Sequence, residues 1–281
     1  MKNNLSQIRH VALDMDGTIY KGGTLFDFTK PFLSLLDELG IGYTFLTNNP
    51  SKSAKDYLAH LQNFGIEAEE SQLYTSTQCT IEFLHGTFPT ANRLFTLGTP
   101  SMCQEMAGAG FTLTKDSHTD EPEVVVVGYD STLTYSRLCR AAYWIKKGKP
   151  YIATNPDRIC PTDQPTVLVD CGSICACLNA ATGSAPLAVL GKPDPRMLKG
   201  ILVRHSLKTN ELAIVGDRIY TDMAMAKQAG TLGVLVLTGE ATSAEAAEFE
   251  VPPNLVFPSL KEFGAKLRET KAGTIFGSVL I

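Results

Sequence analysis

The 281-residue chain is short of several features that would place a protein at once. It has no apolar run approaching the roughly 20 residues of a membrane span. It has no basic excess: 25 Lys and Arg against 29 Asp and Glu leave a net charge of −4, no electrostatic footprint for nucleic acid or an anionic membrane. The opening residues, Met1-Lys2-Asn3-Asn4-Leu5, contain no apolar signal region. Cys171, Cys175 and Cys177 match no structural zinc spacing and have no histidine close by, so buried thiols on a helix are expected. His118 and His205 are expected in surface or capping roles. These absences point to the cytoplasm, where the seven cysteines would be reduced thiols. What is present, 44% apolar and 19% charged residues over a length comfortable for two domains, describes an ordinary globular protein.

The order of elements argues for a parallel sheet with helices on its faces. The apolar run Ile8–Leu13 reads as a strand and is followed by a helix, with Thr29 as cap, Pro31 in its first turn and Phe32, Leu35, Leu36 and Leu39 on one face. A strand, Tyr43–Leu46, ends in the polar cluster Thr47-Asn48-Asn49-Pro50, and a helix capped by Ser51 or Ser53 follows. From Ser71 to Gly86 the pattern is helical. A second series runs from Arg93 to about Pro186, with strands at Arg93–Leu97, Val124–Val127 and Tyr151–Ala153 and helices over Ser101–Ala107 and Tyr135–Lys147. The third set of signals is Leu187–Leu190, a helix from Asp194 and Pro195, strands at Leu212–Val215, Gly233–Leu237 and Asn254–Phe257, and helices over Met223–Ala229 and Leu260–Leu267. The apolar tail Thr274–Ile281 would pack on the core or on a second subunit, which leaves a homo-oligomer open. The expected fold is α/β, a doubly wound Rossmann-like parallel sheet with an α/β insertion.

Asp14-Met15-Asp16-Gly17-Thr18 closes the first strand. In open parallel sheets ligands bind at the carboxyl ends of strands, so both acids would sit at such an end. Two close carboxylates push their pKa values apart; the first can stay ionised and attack while the second stays protonated and donates. A calcium loop would need a glutamate at its twelfth position, and counting from Asp14 that residue is Leu25. A bare Asp-Gly turn is the remaining plain reading of this segment.

The rest of the chain supplies a constellation. Thr47 and the Asn48 and Asn49 amides are donors at the next strand end, suited to an anion or simply to capping a helix. Asp217 ends a later apolar strand, Asp222 follows at a helix start, and Lys192 lies in a proline-stiffened loop. Such an acidic crevice calls for a counter-charge, and hard oxygen ligands suit Mg²⁺. A phosphate monoester attacked by Asp14 would need that cation and Lys192 to offset repulsion. The attack would give an aspartyl-phosphate, with Asp16 as acid and then base.

In this order Asp14–Thr18, Thr47, Lys192 and Gly216–Asp222 resemble the four motifs of the haloacid dehalogenase superfamily in its phosphatase form. The long insertion between Thr47 and Lys192, with Gly191-Lys192-Pro193 and Thr154-Asn155-Pro156-Asp157, is similar to the nitrophenylphosphatase or NagD-like branch. The resemblance implies a discontinuous core of residues 1–85 and 187–281 with a cap of 86–186. It implies Asp14 as nucleophile and Asp16 as acid/base. Mg²⁺ would be held by the Asp14 side chain, the Asp16 backbone carbonyl and Asp217, with Asp222 in support. Thr47, Asn48, Asn49 and Lys192 would hold the phosphate of a small-molecule ester. Asn155, Asp157 and Arg158 would form the cap loop that reads the substrate. The stretch Val169–Cys175 departs from the proline- and glycine-rich turn usual there, which bears on substrate choice. A phosphotransferase or mutase, a phospho-acceptor signalling module and a phosphate-binding protein without catalysis are the competing readings.

Overall fold

Strand β1 (His10–Asp14) is buried along its whole length. A strand covered on both faces has no solvent side for polar residues, which is why its interior, Val11–Leu13, is wholly apolar. The computed structural model describes residues 5–48, 53–160, 165–248 and 252–277. Asn49 and Ser51, and the last four residues of the apolar tail, lie outside them. The chain forms two compact units, one of Met1–Leu46, Leu61–Leu73 and Leu198–Ile281, the other of Thr47–His60 and Tyr74–Met197.

After β1 come a hairpin of β2 (Tyr20–Lys21) and β3 (Thr24–Leu25), α1 (Thr29–Glu38), β4 (Gly42–Thr47), α2 (Ala54–Asn63), β5 (Leu73–Thr75) and α3 (Ser76–Thr87). The middle of the chain gives β6 (Arg93–Leu97), α4 (Pro100–Gly108), β7 (Thr112–Leu113), β8 (Val124–Val127), α5 (Tyr135–Lys146) and β9 (Tyr151–Ala153). Then follow the hairpin strands β10 (Ile159–Cys160) and β11 (Leu168–Val169), α6 (Cys171–Thr182) and β12 (Ala188–Val189). The last third supplies α7 (Arg196–Arg204), β13 (Leu212–Gly216), α8 (Ala224–Ala229), β14 (Leu232–Val236), α9 (Ser243–Glu248), β15 (Leu255–Phe257) and α10 (Leu260–Gly277).

One sheet has the order β15-β14-β13-β1-β4-β5, and β1 pairs in parallel with both β13 and β4. The other has the order β12-β9-β8-β6-β7, parallel throughout. In β8, Val125 and Val127 pack with Phe95, Trp144 and Leu178, while Val124 and Val126 pack with Met102, Met106 and Ile152. The period of two thus sends alternate valines into two separate cores, one on each face. The α/β fold with parallel sheets read from the sequence is the fold observed. No helix among the described residues is long and apolar enough to cross a membrane.

Four local expectations need correction. The stretch read as helical from Ser71 starts with a 3₁₀ turn and the buried strand β5; only then does Thr75 cap α3, its hydroxyl accepting the Gln78 N–H at 3.1 Å. Burial in the sheet overrides a weak helical period there. Thr29 does not cap α1: Phe28 holds that position, and the Thr29 hydroxyl donates to the Ile19 carbonyl at 2.6 Å. Helix α10 continues past Leu267, tied down by Lys271, whose ammonium donates to the Ser6 and Ile8 carbonyls at 2.8 and 2.7 Å. Of the three thiols read as buried on a helix, Cys171 and Cys175 are, but Cys177 is exposed on α6.

Candidate active site

In the first sheet the chain leaves β1 for β4 on one side and later returns to β13 on the other. Ligands of open α/β sheets bind outside the carboxyl ends of strands at such a reversal. Asp14 is the last residue of β1, and Asp217 follows the last residue of β13. Asp222 lies on a π-helical turn, Ile219–Met223, whose wider winding precedes α8. Oxygen atoms of Asp14, Asp217 and Asp222 all lie within 4.8 Å of one another, and all three residues are buried.

Each carboxylate has its own support. Thr18 is fully buried, and its hydroxyl donates to Asp14 Oδ2 at 3.0 Å. Asp217 Oδ2 accepts the Glu240 N–H at 2.8 Å, while its Oδ1 is buried with no hydrogen-bond partner. Asp222 Oδ2 accepts the Arg218 N–H at 3.3 Å. Burial pushes the Asp217 carboxyl up to about 7, and the negative charges of Asp14 and Asp222 add to that push. The Glu240 N–H and the Arg218 charge act in the opposite sense. A buried cluster of like charges is costly until a cation joins it. The donor set is all oxygen, it is acidic, and it carries an orphaned buried oxygen, so the residues present fit a hard divalent cation.

Gly17 makes the loop after Asp14 possible. Its φ of +89° is left-handed, and a β-carbon built there would fall 2.4 Å from Asp217 Oδ2. The Thr238 hydroxyl donates to the Gly17 carbonyl at 2.5 Å and fastens the same loop from the β14 side. Asp16 is exposed at this turn, its carboxylate accepting the Gly22 N–H from the β2–β3 hairpin at 3.4 Å. Its side chain is not part of the carboxylate cluster.

In the second unit, Thr47 is the buried last residue of β4, and Lys192 is 4% exposed. The Asn48 carboxamide is committed to protein groups: Nδ2 donates to Asp157 Oδ2 at 3.0 Å and to the Lys192 carbonyl at 2.9 Å, and Oδ1 accepts the Lys192 N–H. The Asn48 carbonyl accepts from Ser76 Oγ at 2.8 Å and from Asn155 Nδ2 at 3.3 Å. Arg158 is exposed on a backbone fixed from below, its carbonyl accepting from the Asp170 N–H at 3.0 Å and Ser173 Oγ at 2.7 Å. The Gly172 N–H donates to the Asp157 carbonyl at 2.7 Å. The unusual stretch Val169–Cys175 is therefore the scaffold of the Asn155–Arg158 loop. Asp170 caps α6 from within it, and burial, with the Asp157 charge also contributing, raises its carboxyl to about 6.

Two site features escaped the sequence reading, the Thr18 hydroxyl and the Thr238–Glu240 loop, whereas Asp222 stands in the carboxylate cluster as expected. Thr18 carried a local signal, a hydroxyl four residues after a strand-end acid. The Thr238–Glu240 loop carried little more than a glycine after a strand. His205 is neither a surface nor a plain capping residue; it stacks on His10 with ring centroids 4.2 Å apart, and both rings meet the Thr44 hydroxyl. His118 is exposed, as expected.

Two family profiles match the chain, haloacid dehalogenase-like hydrolase over residues 11–112 and HAD-hydrolase-like over residues 189–263. The chain is 30% identical over 265 residues to the acid sugar phosphatase of Staphylococcus aureus, covering 94% of this chain and 100% of that protein. A 4-nitrophenylphosphatase structure from Thermotoga maritima superposes with a TM-score of 0.87 at 38% identity, covering 93% of this chain and 98% of that one. A glycerol phosphate phosphatase from Mycobacterium tuberculosis, solved with magnesium, gives a TM-score of 0.84 at 31% identity over 93% of this chain and 78% of that one. The chain belongs to the haloacid dehalogenase-like hydrolases. Within them it is a phosphatase, a phosphoric monoester hydrolase similar to NagD and the p-nitrophenylphosphatases.

Proposed function

We propose that this phosphatase depends on Mg²⁺ and hydrolyses small phosphorylated metabolites, such as sugar phosphates, nucleoside monophosphates or aromatic phosphates, through an aspartyl-phosphate. The observation that carries the reading is the buried cluster of Asp14, Asp217 and Asp222, with its orphaned oxygen. Asp14, Asp217 and the Asp16 backbone carbonyl would hold the cation, with Asp222 beside them. When bound, it would offset the repulsion between a dianionic phosphate and an attacking carboxylate.

Asp14 attacks phosphorus, its oxygen forming the new P–O bond as the bond to the ester oxygen breaks. Thr18 holds the carboxylate in one rotamer for that attack. Asp16 gives its proton to the departing alkoxide, so the alcohol leaves neutral. It then takes a proton from water as the water oxygen attacks the aspartyl-phosphate; the Asp14–phosphorus bond breaks, and inorganic phosphate departs. Thr47, Asn48, Asn49 and Lys192 would bind the non-bridging oxygens, Asn48 through its backbone N–H because its carboxamide is already engaged. In this reading residues 1–85 and 187–281 form the catalytic core, and 86–186 form the cap whose Asn155, Asp157 and Arg158 loop selects the substrate.

The test is phosphate release from a panel of phosphorylated metabolites, with Mg²⁺ and with chelator. Mg²⁺-dependent release is expected, and the ranking of the panel names the substrate class. If no member releases phosphate while Mg²⁺ still binds, transfer between hydroxyls or a persistent phospho-acceptor role replaces this proposal.

A further inference from the structure

Three pieces of chain converge on Asn48. Its side chain brackets the peptide groups of Lys192, taking the N–H on Oδ1 and giving Nδ2 to the carbonyl at 2.9 Å. The same Nδ2 reaches Asp157 Oδ2 at 3.0 Å, and the Asn48 carbonyl is held by Ser76 and Asn155. Asn155 in turn accepts the Asp157 N–H on its Oδ1 at 3.0 Å, so the loop closes on itself. An asparagine suits this post because it alone presents one acceptor and two donors in a plane at this length. Aspartate would offer no donor to the Lys192 carbonyl and would set a second negative charge against Asp157.

The approach is tight by construction. Gly191, with φ +74°, precedes Lys192, and a β-carbon there would lie 2.7 Å from Asn48 Oδ1 and 2.9 Å from the Thr154 carbonyl. The glycine lets the Lys192 backbone come down onto the carboxamide. Lys192 itself is nearly fully buried, so the position of its ammonium follows the position of its backbone.

We propose that Asn48 is a positioning residue that sets the backbone of Lys192 and couples it to Asp157. The Asn155–Arg158 loop and the phosphate-holding lysine then move as one rigid piece. In consequence Asp157 acts as a strut between loop and lysine, and Arg158, exposed on the pinned backbone, is the side chain of that loop left to meet a substrate. This rests on the reading of Lys192 as a phosphate ligand.

The experiment measures the dissociation constant of inorganic phosphate by calorimetry in the presence of Mg²⁺, together with kcat and KM for 4-nitrophenyl phosphate. The proteins are wild type, Lys192→Ala, Asn48→Ala, the Asn48→Ala/Lys192→Ala double variant, Asp157→Ala and Asp157→Asn. Asn48→Ala removes all three hydrogen bonds of the side chain, and the lysine freed by that loss is predicted to bind phosphate about tenfold more weakly, about 1.4 kcal/mol. Because Asn48 acts through Lys192, the double variant should bind phosphate no more weakly than Lys192→Ala alone. Asp157→Ala should weaken binding and Asp157→Asn should restore it, since an amide oxygen still accepts from Nδ2. A residue with a merely architectural role would lower the melting temperature without this dependence on Lys192.

Phosphate binding by Asn48→Ala as tight as wild type, or full additivity with Lys192→Ala, overturns the inference and leaves the role of Lys192 standing. Unchanged binding in Lys192→Ala overturns both. If Asn48→Ala does not fold, Asn48→Asp serves in its place. It keeps the acceptor for the Lys192 N–H, loses both donations, sets a negative charge against Asp157 and is expected to weaken binding at least tenfold, again without adding to the loss in Lys192→Ala.

Discussion

The Asp217 carboxylate occupies space that a β-carbon on Gly239 would need: an ideal Cβ there would lie 1.9 Å from Asp217 Oδ2. The next residue, Glu240, donates its N–H to that same oxygen at 2.8 Å. The loop after β14 therefore closes directly over one face of Asp217, and only a residue without a side chain lets it do so.

Gly239→Ala should displace Asp217 and weaken cation binding with the fold intact. Loss of a partner that orients a metal ligand typically costs about 10–100-fold in metal affinity or activity, and a loss in that range is expected here. Mg²⁺ titration followed by thermal shift reads the affinity directly. An unchanged Mg²⁺ response would remove Asp217 from the cation site.

Asp14→Asn should abolish turnover, by at least about a thousandfold, because a neutral amide cannot attack as the carboxylate does to form the acyl phosphate. In chelator the same variant should melt higher than wild type. One of three buried carboxylates within 4.8 Å has then lost its charge, and the repulsion that raises the Asp217 carboxyl is relieved. An active variant ends the nucleophile assignment, and a lower melting temperature in chelator argues against a repulsive cluster.

Asp16→Asn should cost about 10²–10⁴-fold with alkyl phosphates, the usual range for general acid catalysis, and much less with 4-nitrophenyl phosphate. A nitrophenolate leaves without a proton; a sugar alkoxide does not. Equal losses across leaving groups would take Asp16 out of the acid role.

His10 predicts an acid-sensitive fold. Burial, with the neighbouring His205 adding to it, pushes its imidazole down to about 3 from an ordinary 6.5. Burial and Arg204 also lower His205. Between these two values the unfolded chain binds the proton that the folded His10 refuses, so stability is full above 6.5 and falls as the pH drops toward 3. From pH 7.5 to pH 5 the His10 contribution should fall by about 2 kcal/mol. Denaturant melts of wild type and His10→Asn across that range should show a shallower slope for the variant; parallel slopes would refute the assignment.

Much of this protein was legible in its sequence because the decisive signals are local. A strand buried on both faces is apolar except where a polar side chain finds a partner, so the apolar runs of β1, β8 and β13 announce themselves. Asp14 and Asp217 were recognisable because each stands where such a run stops. The elements that were misread are those in which local pattern and tertiary burial disagree. Strand β5 is three residues long and is claimed by the sheet against a helical period, and Thr29 turns its hydroxyl from its own helix to the Ile19 carbonyl.

The alternation of strand and helix, the acids at the strand ends and the motif order that identifies the family can all be read along the chain. How those residues are held depends on the folded arrangement. Thr18 on Asp14, the Thr238–Glu240 loop on Asp217, Asn48 between Lys192 and Asp157, and His205 on His10 are contacts made in space. Of these, only the first joins residues close along the chain. The side-chain period of a strand or helix records which face is buried. It does not record which distant hydrogen-bond donor will be waiting on that face.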